Sequence, residues 1–155
     1  MPAPVTLRFE SRLAASAEEV WQWITSLEGI AAEMRPLLRM TAPAGLRSLT
    51  DVPLTLGVPL FRSYLLLFRV LPVDYSDLTL TQLEPGRGFV EQSHMGSMKQ
   101  WRHVRQIRPG PDSASVMLVD ELTFVPRVAS TLTRWGVQAF FRHRHRVLRR
   151  HFPVA

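Results

Sequence analysis

The sequence predicts a single α+β domain of the helix-grip type, in which a curved antiparallel β-sheet wraps around a long C-terminal α-helix. Three observations predict it. A strand-like segment near the N-terminus is followed by two short helices, several alternating segments separated by turn sequences come next, and a long amphipathic segment ends the chain. The 155 residues suit one domain, predicted to span residues 1–155.

The first element is predicted to be a half-buried strand. Val5, Leu7 and Phe9 alternate with polar residues, and a period of two places alternate side chains on one face. That face is therefore expected to lie against the core.

Two short helices are predicted to follow. Ser16 with Glu19 three residues later forms a capping box, which indicates a helix start. Gly29 is expected to end this helix in a left-handed conformation. A second helix over residues 30–34 is expected to stop before Pro36.

The next part of the chain is hard to interpret. Prolines and glycines divide residues 36–58 into short pieces, in which we expect one or two short strands. Residues 60–71 form an apolar run that fits either a buried strand or a helix, and we favour a helix. The positions that share its helical face are Leu60, Tyr64, Leu67, Phe68 and Leu71.

The second half predicts an antiparallel meander followed by the long helix. Four alternating segments are separated by turn sequences, at residues 78–83, 89–94, 99–108 and 114–124. A helix is predicted over residues 129–152, and it is the one predicted element long enough to cover the apolar face of this sheet. Its apolar positions are Leu132, Trp135, Phe140, Val147, Leu148 and Phe152, and Gly136 inside it indicates a close packing contact.

Composition narrows the function classes. The absence of cysteine excludes disulfides, thiolate zinc sites and cysteine nucleophiles. Charged residues interrupt the most apolar stretch, residues 58–73, which is too short for a transmembrane helix. The N-terminus does not resemble a signal peptide. We therefore expect a soluble, cytoplasmic protein without a metal or other cofactor.

The motifs along the chain resemble those of the START/Bet v 1-like superfamily, also called SRPBCC or polyketide cyclase/dehydrase-like proteins. The matching segments are residues 14–24 (AASAEEVWQWI), 88–92 (GFVEQ), 101–105 (WRHVR), 120–124 (DELTF) and 140–152 (FFRHRHRVLRRHF). The resemblance implies the helix-grip fold and an apolar ligand. Members of the superfamily include lipid, steroid and polyketide binders as well as cyclases, so the fold alone does not choose a function. Residues 58–73 depart from the plain strands of the common pattern.

A polar row is predicted across three neighbouring strands. If the first intervening turn is centred near Ser97, Glu91 falls opposite His103. If the next is centred near residues 111–112, His103 falls close to Asp120. On a cavity wall this row could move a proton or orient a ligand hydroxyl. The alternative is a structural hydrogen-bond network, which we favour over catalysis.

The predicted ligand site combines that row with neighbouring apolar side chains. Its residues are Tyr64, Phe68, Phe89, Glu91, Trp101, His103, Leu118, Asp120, Leu122, Trp135 and Phe140. The first functional hypothesis is a non-catalytic module that binds a hydrophobic small molecule or lipid. The second is an enzyme of the aromatase/cyclase type, in which His103 is the general base, a carboxylate orients it, and a bound poly-ketone undergoes aldol closure.

A basic cluster near the C-terminus supports a third hypothesis. The net charge is +6, and residues 142–151 concentrate arginine and histidine at the end of the last helix. We expect a basic surface formed by Arg142, Arg144, Arg146, Arg149 and Arg150. A solvated helix end is the favoured interpretation. Weak attraction to an anionic membrane or a partner protein is next, and nucleic acid is not expected. The sequence leaves the oligomeric state open.

Overall fold

The computed structural model describes residues 3–51 and 55–154, so residues 1, 2, 52–54 and 155 of the predicted domain lie outside the description. The described chain contains three helices and nine strands. In order they are β1 (Val5–Leu13), α1 (Ala17–Thr25), α2 (Leu27–Met34), β2 (Leu38–Met40), β3 (Phe61–Leu67), β4 (Leu71–Leu78), β5 (Leu80–Glu84), β6 (Gly88–Gln92), β7 (His94–Met95), β8 (Met98–Pro109), β9 (Val116–Pro126) and α3 (Ser130–His151).

The strands form two antiparallel sheets that share a curved wall. One has the order β1-β9-β8-β6-β5 and the other the order β2-β3-β4-β7. The chain passes from one sheet to the other at Thr79, between β4 and β5, and at Ser93, between β6 and β7. These two corners are bonded, because the Thr79 amide donates to Ser93 Oγ at 3.1 Å. The curvature gives the wall its concave face.

Helix α3 closes that concave face, so the predicted helix-grip class is confirmed. Its C-terminal half carries the buried residues Phe141, Arg144, His145 and Leu148. Phe141 packs beside Phe9 of β1, with ring centroids 5.8 Å apart. The helix therefore packs on β1, which is an edge strand of the five-stranded sheet.

The first strand and the start of the first helix confirm the sequence-based predictions. Ser16 and Glu19 form both bonds of the capping box. The predicted end of α1 is wrong, because Ser26 ends α1 and caps α2 by accepting from the Gly29 amide. Gly29 lies inside α2, where a Cβ atom would overlap the carbonyl oxygen of Trp23. This glycine serves close packing and not a helix end.

The helix favoured for residues 60–71 is also wrong, because the segment forms β3 and the turn into β4. Ser63 and Leu65 point inward while Tyr64 between them is exposed, which is the period of a strand. Pairing with β4 along nearly its whole length determines the outcome. In residues 36–58 the structure has one strand, β2, and residues 52–54 lie outside the description.

The N-terminal half of α3 is less covered than the sequence predicts. Leu132 and Trp135 were expected in the core, yet each is 67% exposed. The opposite face of this half, at Thr133 and Val137, turns toward the interior. None of the described helices is long and apolar enough to span a bilayer.

Candidate functional site

A cavity of about 340 Å³ lies between the four-stranded sheet, β8 and α3. Most of its wall is apolar, with side chains from every surrounding element. These side chains are Met34, Leu38, Met40, Leu65, Val73, Leu78, Met95, Met98, Trp101, Val137, Phe140 and Phe141. Gly136 also lines it, and a Cβ atom there would meet open space. The volume falls at the lower end of the range for small-molecule sites.

Polar side chains occupy two parts of this wall. Glu91, His103 and Arg144 lie where the cavity adjoins a smaller void of about 60 Å³, and all three line both spaces. Ser63, Ser76 and the carboxyl side chain of Asp74 lie on the four-stranded sheet. The arrangement is an apolar space with a few polar groups on separate walls.

The strand register brings the predicted polar row together with one change. Glu91 pairs with His103, as the turn-centring argument predicts. His103 pairs with Leu122, however, and the residue opposite Asp120 is Arg105. Asp120 therefore reaches His103 diagonally, with Oδ1 2.6 Å from Nε2 of the ring.

Asp120 is the centre of a buried ion cluster. It is fully buried and accepts hydrogen bonds from His103, from Arg105 and from His145. Burial alone would raise the pKa of this carboxyl group, but the guanidinium of Arg105 and the His103 ring outweigh burial and hold the pKa well below its usual range. The side chain is therefore a carboxylate at neutral pH.

Arg105 joins Asp120 to a second buried carboxylate, Glu33 of α2. Its terminal nitrogens donate to both oxygens of Glu33, at 2.7 and 3.1 Å, and its Nε donates to Asp120 at 2.8 Å. Arg144 of α3 adds a bond from Nε to Glu33 at 3.2 Å. Burial would raise the pKa of Glu33, but the two arginines lower it. The buried ion cluster, as used below, is Glu33, His103, Arg105, Asp120, Arg144 and His145.

His145 connects the cluster to the first strand. Its Nε2 lies 2.7 Å from Asp120, an acceptor, so this nitrogen carries hydrogen and donates. Its Nδ1 lies 2.7 Å from Ser11 Oγ, which also accepts from Arg149. Through these two bonds His145 links the buried carboxylate of Asp120 to β1.

The His103 ring lines the cavity and lies between two carboxylates, those of Asp120 and Glu91. Its Nε2 is bonded to Asp120, and its Nδ1 lies 3.7 Å from Glu91 Oε1. Burial would lower the pKa of His103, but the negative charge of Asp120, the hydrogen bond to it and the nearby carboxylate of Glu91 raise the pKa above its ordinary value. The geometry thus favours the imidazolium form, with Nδ1–H directed toward Glu91 and the cavity.

Two serine hydroxyls on the other sheet lack partners. Ser63 and Ser76 are cross-strand neighbours in β3 and β4. Both hydroxyl oxygens are buried, and neither has a hydrogen-bond partner among the described residues. Native proteins pair nearly all buried polar atoms, so two such atoms on one cavity wall are unusual.

Three residues predicted to contact a ligand lie elsewhere. Tyr64 is 48% exposed because it alternates with Ser63 along β3. Phe68 lies in the turn after β3 with φ near 49° and is exposed. Trp135 lies on the outer face of α3. The helical interpretation of residues 60–71 had placed the first two wrongly.

The other predicted site residues are inside the protein, but not all line the main cavity. Trp101 and Phe140 line it, together with Glu91 and His103. The four that do not line it are Phe89, which borders the smaller void, Leu118 and Leu122, which are in the apolar core, and Asp120, which lies behind His103.

The predicted basic surface is smaller than expected. Arg144 is buried because it pairs with Glu33 and lies over the Phe141 ring, 5.0 Å from its centroid. Arg142, Arg146, Arg149 and Arg150 are exposed. Attraction of this face to an anionic membrane stays a prediction.

Several residues of the buried ion cluster and of the cavity wall were not predicted from the sequence. Arg105 shares the inward face of β8 with His103, so the period of two contained the signal. Ser63 could have been found the same way, from its spacing to Leu65, once β3 was recognised as a strand. Glu33 gave no signal, because a carboxylate in a short helix is ordinarily exposed.

The fold matches solved structures over nearly its whole length. A START superfamily protein from Mycobacterium smegmatis aligns with a TM-score of 0.66 at 11% identity, covering 95% of this chain and 96% of that one. The protein CV1439 from Chromobacterium violaceum aligns at 0.64 and 14% identity, covering 95% and 98%. DynU16, from the dynemicin biosynthetic locus, aligns at 0.56 and 16% identity, covering 96% of this chain and 48% of that one.

These alignments confirm the START-like fold predicted from the motifs. No curated protein matches the sequence. One family model, described as a domain of unknown function, DUF8410, matches residues 11–152 and so includes every member of the buried ion cluster. The chain therefore belongs to the DUF8410 family.

Proposed function

We propose that the protein binds a hydrophobic small molecule in the cavity between the curved sheet and α3. The observation that carries the proposal is the apolar cavity of about 340 Å³, which is bounded by α2, α3 and both sheets. A preformed apolar space of this kind gains affinity by removing ligand surface from water. The polar groups on its walls would orient the ligand.

The buried ion cluster supports this proposal by holding the cavity open. Arg105 and Asp120 anchor α2 and α3 against the sheet through directional bonds. A purely apolar core can collapse to fill a void, whereas a cluster with fixed geometry resists collapse. The cavity is thus expected to persist without ligand.

The test uses native mass spectrometry of the purified protein, followed by denaturing extraction of any bound compound. Gly136→Leu places a side chain in open space on the cavity wall. Arg134→Leu, on the exposed face of the same helix, is the matched control. We expect a bound compound in the native protein and the control, and its loss in Gly136→Leu. Equal occupancy in all three would contradict the proposal.

A second candidate function is proton transfer on a bound carbonyl compound of the polyketide type. The observation that favours it is His103, whose Nδ1 faces Glu91 at the cavity wall while Asp120 fixes its other nitrogen. With two carboxylates beside it, the ring holds a proton that it can donate to a ligand, and the carboxylate of Glu91 can accept one. This differs from the general-base role expected for His103 from the sequence.

Turnover and binding separate the two candidates. His103→Gln keeps a polar side chain at the wall but cannot donate as an imidazolium. A catalyst would lose turnover of a model poly-ketone about 100-fold or more while keeping its affinity within a few-fold. A binding module would show no turnover in either form, only a change in affinity.

A further inference from the structure

The unpartnered hydroxyls of Ser63 and Ser76 indicate where a ligand would be polar. Both line the cavity, both are buried, and neither is bonded within the described part of the chain. Leaving a buried hydroxyl without a partner is unfavourable. Because the two are register partners across β3 and β4, one ligand oxygen could bond with both.

A second polar point lies on the opposite sheet and α3. Arg144 makes one hydrogen bond with the described residues, from Nε to Glu33, so its two terminal nitrogens remain for a ligand. His103 Nδ1 and Glu91 Oε1 lie beside it on the same wall, 3.7 Å apart. This point offers donors and an acceptor together.

The charges near this second point are already matched. With the His103 ring protonated between its two carboxylates, three anions face three cations around this point. The anions are Glu33, Glu91 and Asp120, and the cations are His103, Arg105 and Arg144. An anionic ligand would add an unmatched negative charge here, and Asp74 on the other sheet offers no cation to balance it, which is costly in a buried site.

From these three observations we infer that the cavity takes a compact molecule without negative charge, which has an apolar body and an oxygen function, hydroxyl or carbonyl, at each end. One oxygen bonds to Ser63 and Ser76, and the other bonds at Arg144, His103 and Glu91. Ionised fatty acids and other carboxylates are disfavoured. This inference rests on the proposed binding function and narrows its ligand class.

The probes are three naphthalene derivatives of similar size, measured by calorimetry near pH 7. They are a dihydroxynaphthalene with one hydroxyl on each ring, a naphthol with one hydroxyl, and a hydroxynaphthoate that carries an ionised carboxylate. We expect the diol to bind roughly three- to tenfold tighter than the naphthol, because it makes one more hydrogen bond. The hydroxynaphthoate is expected to bind most weakly.

The double variant Ser63→Ala with Ser76→Ala tests the first polar point, and Ser113→Ala in an exposed turn is the control. The double variant should bind the diol and the naphthol equally. Without ligand it should be at least as stable as the native protein, because it removes two unpartnered hydroxyls. A loss of stability in the empty double variant would contradict the inference, since the hydroxyls would then have a structural role.

The outcomes distinguish this inference from the proposed function. If the naphthol binds as tightly as the diol, or the hydroxynaphthoate binds tightest, the ligand class is wrong and the cavity remains a binding site. If none of the three binds and the native protein carries no extracted compound, both proposals fail.

Discussion

At the scale of the residue, Asp120 shows how a buried charge can be stabilised without water. Its two oxygens accept bonds from His103, Arg105 and His145, which come from β8 and α3. Each donor is itself fixed by another partner. Removing this negative charge would leave the guanidinium of Arg105, which is also fully buried, with one of its two carboxylate partners, Glu33.

We therefore predict that Asp120→Asn lowers the free energy of unfolding by about 3–5 kcal/mol, as expected when one partner of a buried ion pair is removed. Urea denaturation monitored by tryptophan fluorescence measures this change. The control is Asp112→Asn, whose pairing with Arg12 is at the surface, and its effect should be much smaller. Similar losses in both variants would mean that the buried cluster contributes no more than a surface pair.

The free energy of unfolding should fall at alkaline pH because of His103 and at acid pH because of Glu33 and Asp120. The raised pKa of His103 contributes stability that is complete below its unfolded value of about 6.5 and is lost as pH rises through the folded value. The lowered pKa values of Glu33 and Asp120 contribute stability that is present above their unfolded values and lost as pH falls through the folded ones. Stability is thus greatest between these limits.

His103→Gln separates the two sides. The variant should lose the decline on the alkaline side, because a glutamine does not titrate, and should keep the decline in acid. Thermal denaturation over a pH series is the measurement. An unchanged alkaline decline in the variant would show that another group causes it.

At the scale of the element, two glycines in helices have opposite roles. Gly29 in α2 lies against the backbone of α1, where a Cβ atom would overlap the Trp23 carbonyl. Gly136 in α3 faces the cavity, where the same atom would meet nothing. The sequence predicted a helix end at the first and a close contact at the second, and the structure has the close contact at Gly29.

We predict that Gly29→Ala lowers the free energy of unfolding by about 1–3 kcal/mol, because the helix–helix contact must separate. Gly136→Ala should raise it by about 0.5–1 kcal/mol, because alanine favours the helix and no atom must move. Chemical denaturation of both variants against the native protein tests the pair. The prediction fails if the two substitutions have effects of the same sign.

At the scale of the whole molecule, the sequence predicted the fold better than the site. Turn sequences and the period of two were enough for the pairing of Glu91 with His103 and for the order of the strands. They missed the corners at Thr79 and Ser93, where the predicted strands 78–83 and 89–94 pass from one sheet to the other. The Glu33–Arg105 bond joins residues 72 apart in sequence, and no local pattern connects them. The apolar run of residues 60–71 fits the period of a strand and that of a helix, and it forms a strand because it pairs with β4.

A ligand that fills the cavity should stabilise the whole fold, because α2, α3 and both sheets contact the same space. At a concentration 100 times its Kd, such a ligand should add about 2.7 kcal/mol. For a domain of this size the Tm should rise by about 5–10 °C. Differential scanning calorimetry measures the rise, and Gly136→Leu should abolish it. An equal rise in that variant would place binding elsewhere.

The pairing of β1 with β9 also has a consequence for synthesis of the protein. All nine residues of β1 find their partners on β9, which begins about a hundred residues later at Val116. At ordinary translation rates β1 leaves the ribosome roughly 5–20 s before its partner does. During that interval its edge is open and Leu7 and Leu13 lack their core. Neighbouring nascent chains on one messenger RNA each present the same open strand, so this interval is the one in which two copies can pair wrongly through β1.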